Sequence, residues 1–180
     1  MRIISGVLKG RKITGYEIEG TRPTMDRVRE SLFSMIQNNI QDGTILDLFS
    51  GTGVLGLESL SNGAKYCYFN DFNKKCIDNI KKLSKEFNIE DKVYLTNQDY
   101  KKVLSFYKDK NISFNIIFLD PPYKLEVVNE IIDFIISNNI LKEDGLIIVE
   151  VDSNYLKDFN ELKLIRNKKY GSKYIYIYQK

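Results

Sequence analysis

The sequence predicts an α/β fold: one mostly parallel, seven-stranded sheet covered by helices on both faces and closed by an antiparallel C-terminal hairpin. Three observations predict it. From Thr44 onward, short apolar runs alternate with stretches of helical period. A glycine-rich turn, Gly51-Thr52-Gly53-Val54-Leu55-Gly56, follows the first of these runs and opens a helix. The chain ends on alternating residues, Tyr174-Ile175-Tyr176-Ile177-Tyr178, the period of a strand.

Taken in order, residues 1–20 set Gly6, Gly10, Gly15 and Gly20 between short β-prone stretches, which predicts a hairpin or small antiparallel extension. Thr24 reads as the N-cap of a helix over about residues 25–39, with Val28, Leu32, Phe33 and Ile36 at helical spacing. Strands are then expected near 44–49, 66–71, 92–97, 114–119 and 146–151. Helices are expected near 54–61, 73–87, 100–108, 125–138 and 153–159. Leu162–Lys169, a turn at Gly171-Ser172, and the final alternating run form a hairpin on the sheet edge. At 180 residues the chain is expected to be a single domain, 1–180, with an N-terminal hairpin-and-helix extension over 1–40 and the α/β core over 44–180. It is expected to act as a monomer.

Composition excludes several chemistries. There is no histidine, so an imidazole base, a Ser-His pair and a histidine-ligated metal are all ruled out, and no metal site is expected. Cys67 and Cys76 lack CxxC spacing and read as free thiols of a reducing compartment. No apolar run approaches the ~20 residues of a membrane span, and the N-terminus lacks a signal-peptide core, so a cytoplasmic protein without a membrane partner is expected. The net charge is only +3, but its distribution is uneven: Arg2, Arg11, Arg22, Arg27 and Arg29 fall in the first 29 residues, and Arg166 is the one arginine elsewhere. The planar guanidinium fork suits phosphate, so this clustering predicts a face that grips nucleic acid.

Asp47-Leu48-Phe49-Ser50-Gly51-Thr52-Gly53 joins the end of the first strand to the glycine turn. A GxGxxG after a strand, with Asp71 20 residues beyond Gly51 to bond a ribose diol, predicts an adenosine-type cofactor. Asp47 selects among such cofactors. A carboxylate here repels the pyrophosphate of a dinucleotide but attracts the ammonium and sulfonium of S-adenosyl-L-methionine, whose carboxylate can meet the N–H groups of the helix start. Phe72 is placed to lie against the adenine ring, and Asp99 to accept from the adenine amine or to cap the following helix. Thr24 is expected to close over the methionine end. The fold is then a Rossmann-like, S-adenosylmethionine-dependent methyltransferase.

The acceptor follows from Asp120-Pro121-Pro122-Tyr123, set at the end of the apolar run Phe114–Leu119. The prolines fix φ and remove two N–H donors, leaving a rim of acceptors, the Asp120 carboxylate and the Pro121 carbonyl, for an exocyclic amine. Tyr123 offers a face on which a base stacks. Methyl transfer to a nucleobase amine needs alignment more than acid–base machinery, which agrees with a chain free of histidine. The target base must be flipped or unpaired to reach the site.

With these residues identified, the chain resembles, over nearly its full length, the bacterial family that methylates N2 of a guanine in small-subunit (16S) ribosomal RNA. The resemblance rests on Met1-Arg2-Ile3-Ile4-Ser5-Gly6, on Thr21-Arg22-Pro23-Thr24-Met25-Asp26-Arg27-Val28-Arg29-Glu30-Ser31-Leu32-Phe33, on the Asp47–Gly53 and Leu119–Tyr123 motifs, and on Lys169-Tyr170-Gly171. It implies S-adenosyl-L-methionine as donor, guanine N2 as acceptor and RNA of an assembling small subunit as partner. Two positions depart from the family pattern: Asn73 stands where a second acid is usual, and Val151 follows Glu150 where a histidine is frequent. The rival readings are a DNA adenine-N6 methyltransferase, an adenosine-nucleotide-dependent dehydrogenase, disfavoured by Asp47, and a non-catalytic RNA-binding module.

Overall fold

A computed structural model describes residues 1–14, 23–121, 125–152 and 156–180. Helix α1 (Pro23–Ile40) leads into β1 (Thr44–Asp47), α2 (Val54–Ser61), β2 (Tyr66–Asn70), α3 (Lys74–Glu86), β3 (Val93–Thr96), α4 (Tyr100–Asp109), β4 (Phe114–Leu119), α5 (Leu125–Ser137), β5 (Leu141–Val151), β6 (Lys163–Tyr170) and β7 (Lys173–Gln179). The strands make one sheet in the order β3-β2-β1-β4-β5-β7-β6, with β7 antiparallel to both of its neighbours and the first five strands parallel. This is the Rossmann-like methyltransferase architecture that the sequence predicts.

Strand alternation sorts the core into two layers. Ile45, Phe69, Ile116, Phe118 and Ile148 point to one face, where Leu32, Phe33 and Ile36 of α1, Leu57 and Leu60 of α2, and Ile80 and Leu83 of α3 cover them. Leu46, Ile117, Leu119, Ile147 and Val149 point to the other, under Val103, Leu104 and Tyr107 of α4 and Val128, Ile131, Ile132 and Ile135 of α5. Strands buried on both faces read as continuous apolar runs, which is why they were visible in sequence.

Residues 1–14 form the antiparallel extension the glycines predict. Arg2 bridges Lys12, Ile3 N–H donates to the Arg11 carbonyl (3.0 Å), and Gly10 N–H donates to the Ile3 carbonyl (2.9 Å). A buried carboxylate fastens this extension to α2. Glu58 is fully buried and accepts from the N–H of Ile4 (3.1 Å) and Ser5 (2.8 Å) and from Ser5 Oγ (2.8 Å). Gly15 and Gly20 lie outside the described residues.

Three expectations change. Helix α1 begins at Pro23, so Thr24 lies inside its first turn and is not its cap; proline suits that turn, where its missing N–H would have no intrahelical partner anyway. Strand β5 begins at Leu141, five residues early, because a bulge carries it through Asp144 (φ 58) while the pairing passes from Phe114↔Leu141 to Ile116↔Leu146. The helix expected near 153–159 is absent over the described residues 156–159. Leu156 and Phe159 instead bury against the second layer, Phe159 edge-on to Tyr178 at 5.5 Å, and this packing overrides a local pattern that looked helical.

Candidate functional site

The strand order reverses between β1 and β4, and in such sheets ligands bind in the crevice at the carboxyl ends of the strands beside that reversal. A cleft of about 240 Å³ opens there, and it gathers Phe49, Gly51, Asp71, Phe72, Asp99 and Asp120, all named from the sequence. Three others escaped sequence reading: Asn70, Gln98 and Tyr100.

The glycine turn is held from behind. Asp47 ends β1, is 3% exposed, and accepts from the Gly56 N–H through Oδ2 (3.1 Å). Ser50 is buried, its hydroxyl donating to the carbonyls of Asp47 (2.7 Å) and Asn70 (3.0 Å). Gly51 (φ 50) and Gly53 (φ 75) take left-handed conformations. Gly56 is required by packing: a Cβ there would lie 2.2 Å from Cε1 of the buried Phe69. Leu48 is fully buried in the second layer. Leu48, Ser50 and Gly53 therefore shape the turn and stand behind the cleft, while Phe49 and Gly51 line it.

Asp71 follows β2 and is fixed by two backbone donors, Gly51 N–H to Oδ2 and Asn73 N–H to Oδ1, both 2.8 Å. Asn73, in place of an acid, caps α3 by accepting from Lys75 N–H (3.0 Å). Asp99 caps α4 by accepting from Lys101 N–H (2.9 Å) and still lines the cleft. Phe72 is 78% exposed, a large apolar ring left at the mouth. Asn70 holds the floor together. It is 1% exposed, donates to the carbonyls of Leu48 (3.2 Å) and Gln98 (3.1 Å), and accepts from Thr96 Oγ1 (3.0 Å). A lone asparagine closing Tyr66–Asn70 was its sequence signal.

Beside Asp120 the structure assembles charges that lie far apart in sequence. Lys173, which opens β7, sets its ammonium 3.2 Å from Asp152, 3.8 Å from Glu150 and 3.9 Å from Asp120. Burial pushes Glu150 up to about 7, with Asp120 and Asp152 adding to the rise and Lys173 opposing it. Loss of water also raises Asp120, against the pull of Lys173. Burial works against the Lys173 charge, but its carboxylate neighbours outweigh it and hold the ammonium above its ordinary range. Asp47 is pushed up to about 7 by burial, offset by the Gly56 N–H and reinforced by Asp120 and Asp71. The site is a crowd of negative charge suited to a cationic ligand.

The arginines divide. Arg2 and Arg27 are exposed and line a surface cleft of about 280 Å³ with Lys9, Asp26 and Glu30. Arg11 is exposed but lies 5.9 Å over the Phe87 ring, just past the end of α3 and thus at the amino ends of the strands, away from the cleft. Arg29 leaves the surface altogether. It is 8% exposed and meets Asp26 at 2.6 Å, the Arg2 carbonyl at 3.1 Å and the buried Glu58 at 3.7 Å, whose charge demands a cation. Pro121 is buried after β4. Pro122, Tyr123 and Arg22 lie outside the described residues, as does the side chain of Thr24.

Residues 1–179 match the family described as "Conserved hypothetical protein 95". The Ribosomal RNA small subunit methyltransferase D of Escherichia coli K12 is 36% identical over 151 residues, 83% of this chain and 74% of that protein. The chain belongs to this family. A Bacillus subtilis protein named "Putative rRNA methyltransferase YlbH" is 36% identical over 182 residues, covering 100% of this chain and 99% of the relative. The solved structure titled "Putative methyltransferase yhhF from Escherichia coli" superposes with TM-score 0.87 at 32% identity, over 100% of this chain and 97% of that one. That structure thus shares the architecture over the length of this chain.

The raised carboxyls give the folded protein a pH signature. Asp47 and Glu150 rise from ordinary values of 3.8 and 4.5 to about 7, so between those limits the folded state binds more protons than the unfolded one. Their contribution to stability is complete below about pH 4 and is lost as pH rises to about 7. Thermal unfolding of Asp47→Asn, whose amide oxygen still accepts from Gly56 N–H, should therefore decline less steeply from pH 5 to 7.5 than that of the wild type. Parallel curves for the two proteins would show that Asp47 does not ionise late.

Proposed function

We propose that the protein transfers a methyl group from S-adenosyl-L-methionine to the exocyclic N2 of a guanine in small-subunit ribosomal RNA. The observation that carries the cofactor is the buried Asp47 carboxyl behind the glycine turn, next to a cleft whose lining acids are Asp71, Asp99 and Asp120. A pyrophosphate is repelled by this charge, and a sulfonium with an ammonium is attracted. Phe49, Gly51, Asp71, Phe72 and Asp99 hold the cofactor, with Asp71 toward the ribose, Phe72 against the adenine and Thr24 closing the methionine end. When bound there, S-adenosylmethionine would supply an electrophilic methyl group on its sulfonium, whose sulfur would be left as a neutral thioether.

The chain's own residues align the nucleophile. Asp120 and the Pro121 carbonyl accept from the N2 hydrogens, which returns the amine lone pair from the ring toward the incoming methyl, while Pro122 stiffens the rim and Tyr123 stacks the extruded base. As the N–C bond forms and the C–S bond breaks, N2 becomes cationic; its proton passes to Asp120 or to water. Glu150, raised to about 7, stands beside Asp120 as a further acceptor.

Relatives named Ribosomal RNA small subunit methyltransferase D, such as that of Escherichia coli, support that RNA as substrate. The extension of residues 1–40 contributes the RNA face through Arg2 and Arg27. A DNA adenine-N6 enzyme would need a sequence-reading element, and the elements among the described residues are the sheet, its helices and this small extension.

Small subunits from cells lacking the protein should take up one methyl group from labelled S-adenosylmethionine when the purified protein is added, recovered as N2-methylguanosine. Asp120→Ala should abolish transfer and retain cofactor binding, and Tyr123→Ala should lose most of it, since stacking one base is worth roughly 1–3 kcal/mol. Label in N6-methyladenosine, or full activity of Asp120→Ala, would overturn the proposal. Neutralising Arg2 and Arg27 together should weaken RNA binding and flatten its salt dependence, because each lost phosphate contact releases fewer counterions. An unchanged salt slope would move the RNA to another face.

A further inference from the structure

Asp120, Glu150 and Lys173 stand at the ends of three neighbouring strands, in the spatial order β4, β5, β7. Across the sheet they present an acceptor, an acceptor and a donor. The Watson–Crick edge of guanine presents the complement in line: the N2 amine donates, N1–H donates and O6 accepts. Adenine offers an unprotonated N1 and an amine at the position of O6. We infer that Glu150 and Lys173 are specificity residues that read the target base as guanine, Glu150 accepting from N1–H and Lys173 donating to O6, beside the N2 amine held at Asp120. This inference rests on the guanine-N2 reading above and extends it to the rest of the base edge.

The geometry supports a reading role over a structural ion pair. Lys173 lies 3.8 Å from Glu150 and 3.9 Å from Asp120, close enough to share their field but beyond hydrogen-bond length; its near contact is Asp152 at 3.2 Å. All three groups remain reachable, with side chains 45% (Asp120), 33% (Glu150) and 40% (Lys173) exposed. Three carboxylates around one ammonium leave an excess of acceptors, which donors on a base can satisfy. Burial and mutual repulsion raise Glu150 to about 7, as expected of a carboxylate that gains from an added N–H partner. Asp120 also borders a crevice of about 40 Å³ with Glu150 and Arg29, so the reading groups and the cofactor cleft meet at the same carboxylate.

The test measures kcat/KM on small subunits reconstituted with either guanosine or 2,6-diaminopurine riboside at the modified position. The analogue keeps the 2-amino group but lacks N1–H and replaces O6 by an amine. Wild type should prefer guanosine by on the order of a hundredfold, and Glu150→Gln and Lys173→Met should each reduce that preference about tenfold, as expected for loss of one base-edge contact. Lys173→Arg should restore it. Because the preference is a ratio within one preparation, loss of folded protein in a variant cancels. A wild type that methylates guanine N2, with the ratio in both variants within twofold of its own, overturns this inference alone. A wild type that places no methyl on guanine N2 overturns the parent reading as well.

Discussion

The carboxyl of Asp47 is buried at the carboxyl end of β1, and the glycine turn is anchored on it. A buried carboxylate without a full counter-charge is costly, and this one is relieved mainly by a single N–H, that of Gly56 in α2. That bond ties the helix start to the strand end and draws the glycine turn across the switch point of the sheet. The same carboxyl is the group proposed above to favour a cationic ligand over a pyrophosphate.

Around that centre the fold spends its polar groups on rigidity. Asn70 ties the end of β1 to the loop after β3, and Asp71 is pinned by two backbone donors before any ligand arrives. Glu58 does the corresponding work for the extension, binding residues 4 and 5 and drawing Arg29 inward. Such prior ordering lowers the entropy lost on binding. A reaction driven by alignment depends on it more than on any proton donor.

Much of this was legible in the sequence, and the parts that were not share a physical reason. The parallel strands were visible because burial on both faces makes them continuous apolar runs, and the glycine turn because its backbone restricts residue choice. Asp71, Asp99 and Asp120 could be read because each sits at a strand end, where topology alone delivers side chains to the crevice. The Glu150–Lys173 pairing could not, since antiparallel β7 joins residues 23 positions apart and no local pattern announces it. Arg29 was misjudged because its company on the chain is surface arginine, whereas its fate was decided by a buried glutamate 29 residues away. The segment at 156–159 failed as a helix for the same reason: Leu156 and Phe159 answer to the core layer beneath them.

The central proposal is that Asp47 makes the glycine turn a site for a positively charged adenosyl ligand. Calorimetric titration of the purified protein with S-adenosylmethionine, S-adenosylhomocysteine and NAD tests it most directly. The two adenosyl ligands should bind and NAD should give no measurable heat. Tight NAD binding, or no binding of either adenosyl ligand, would contradict it.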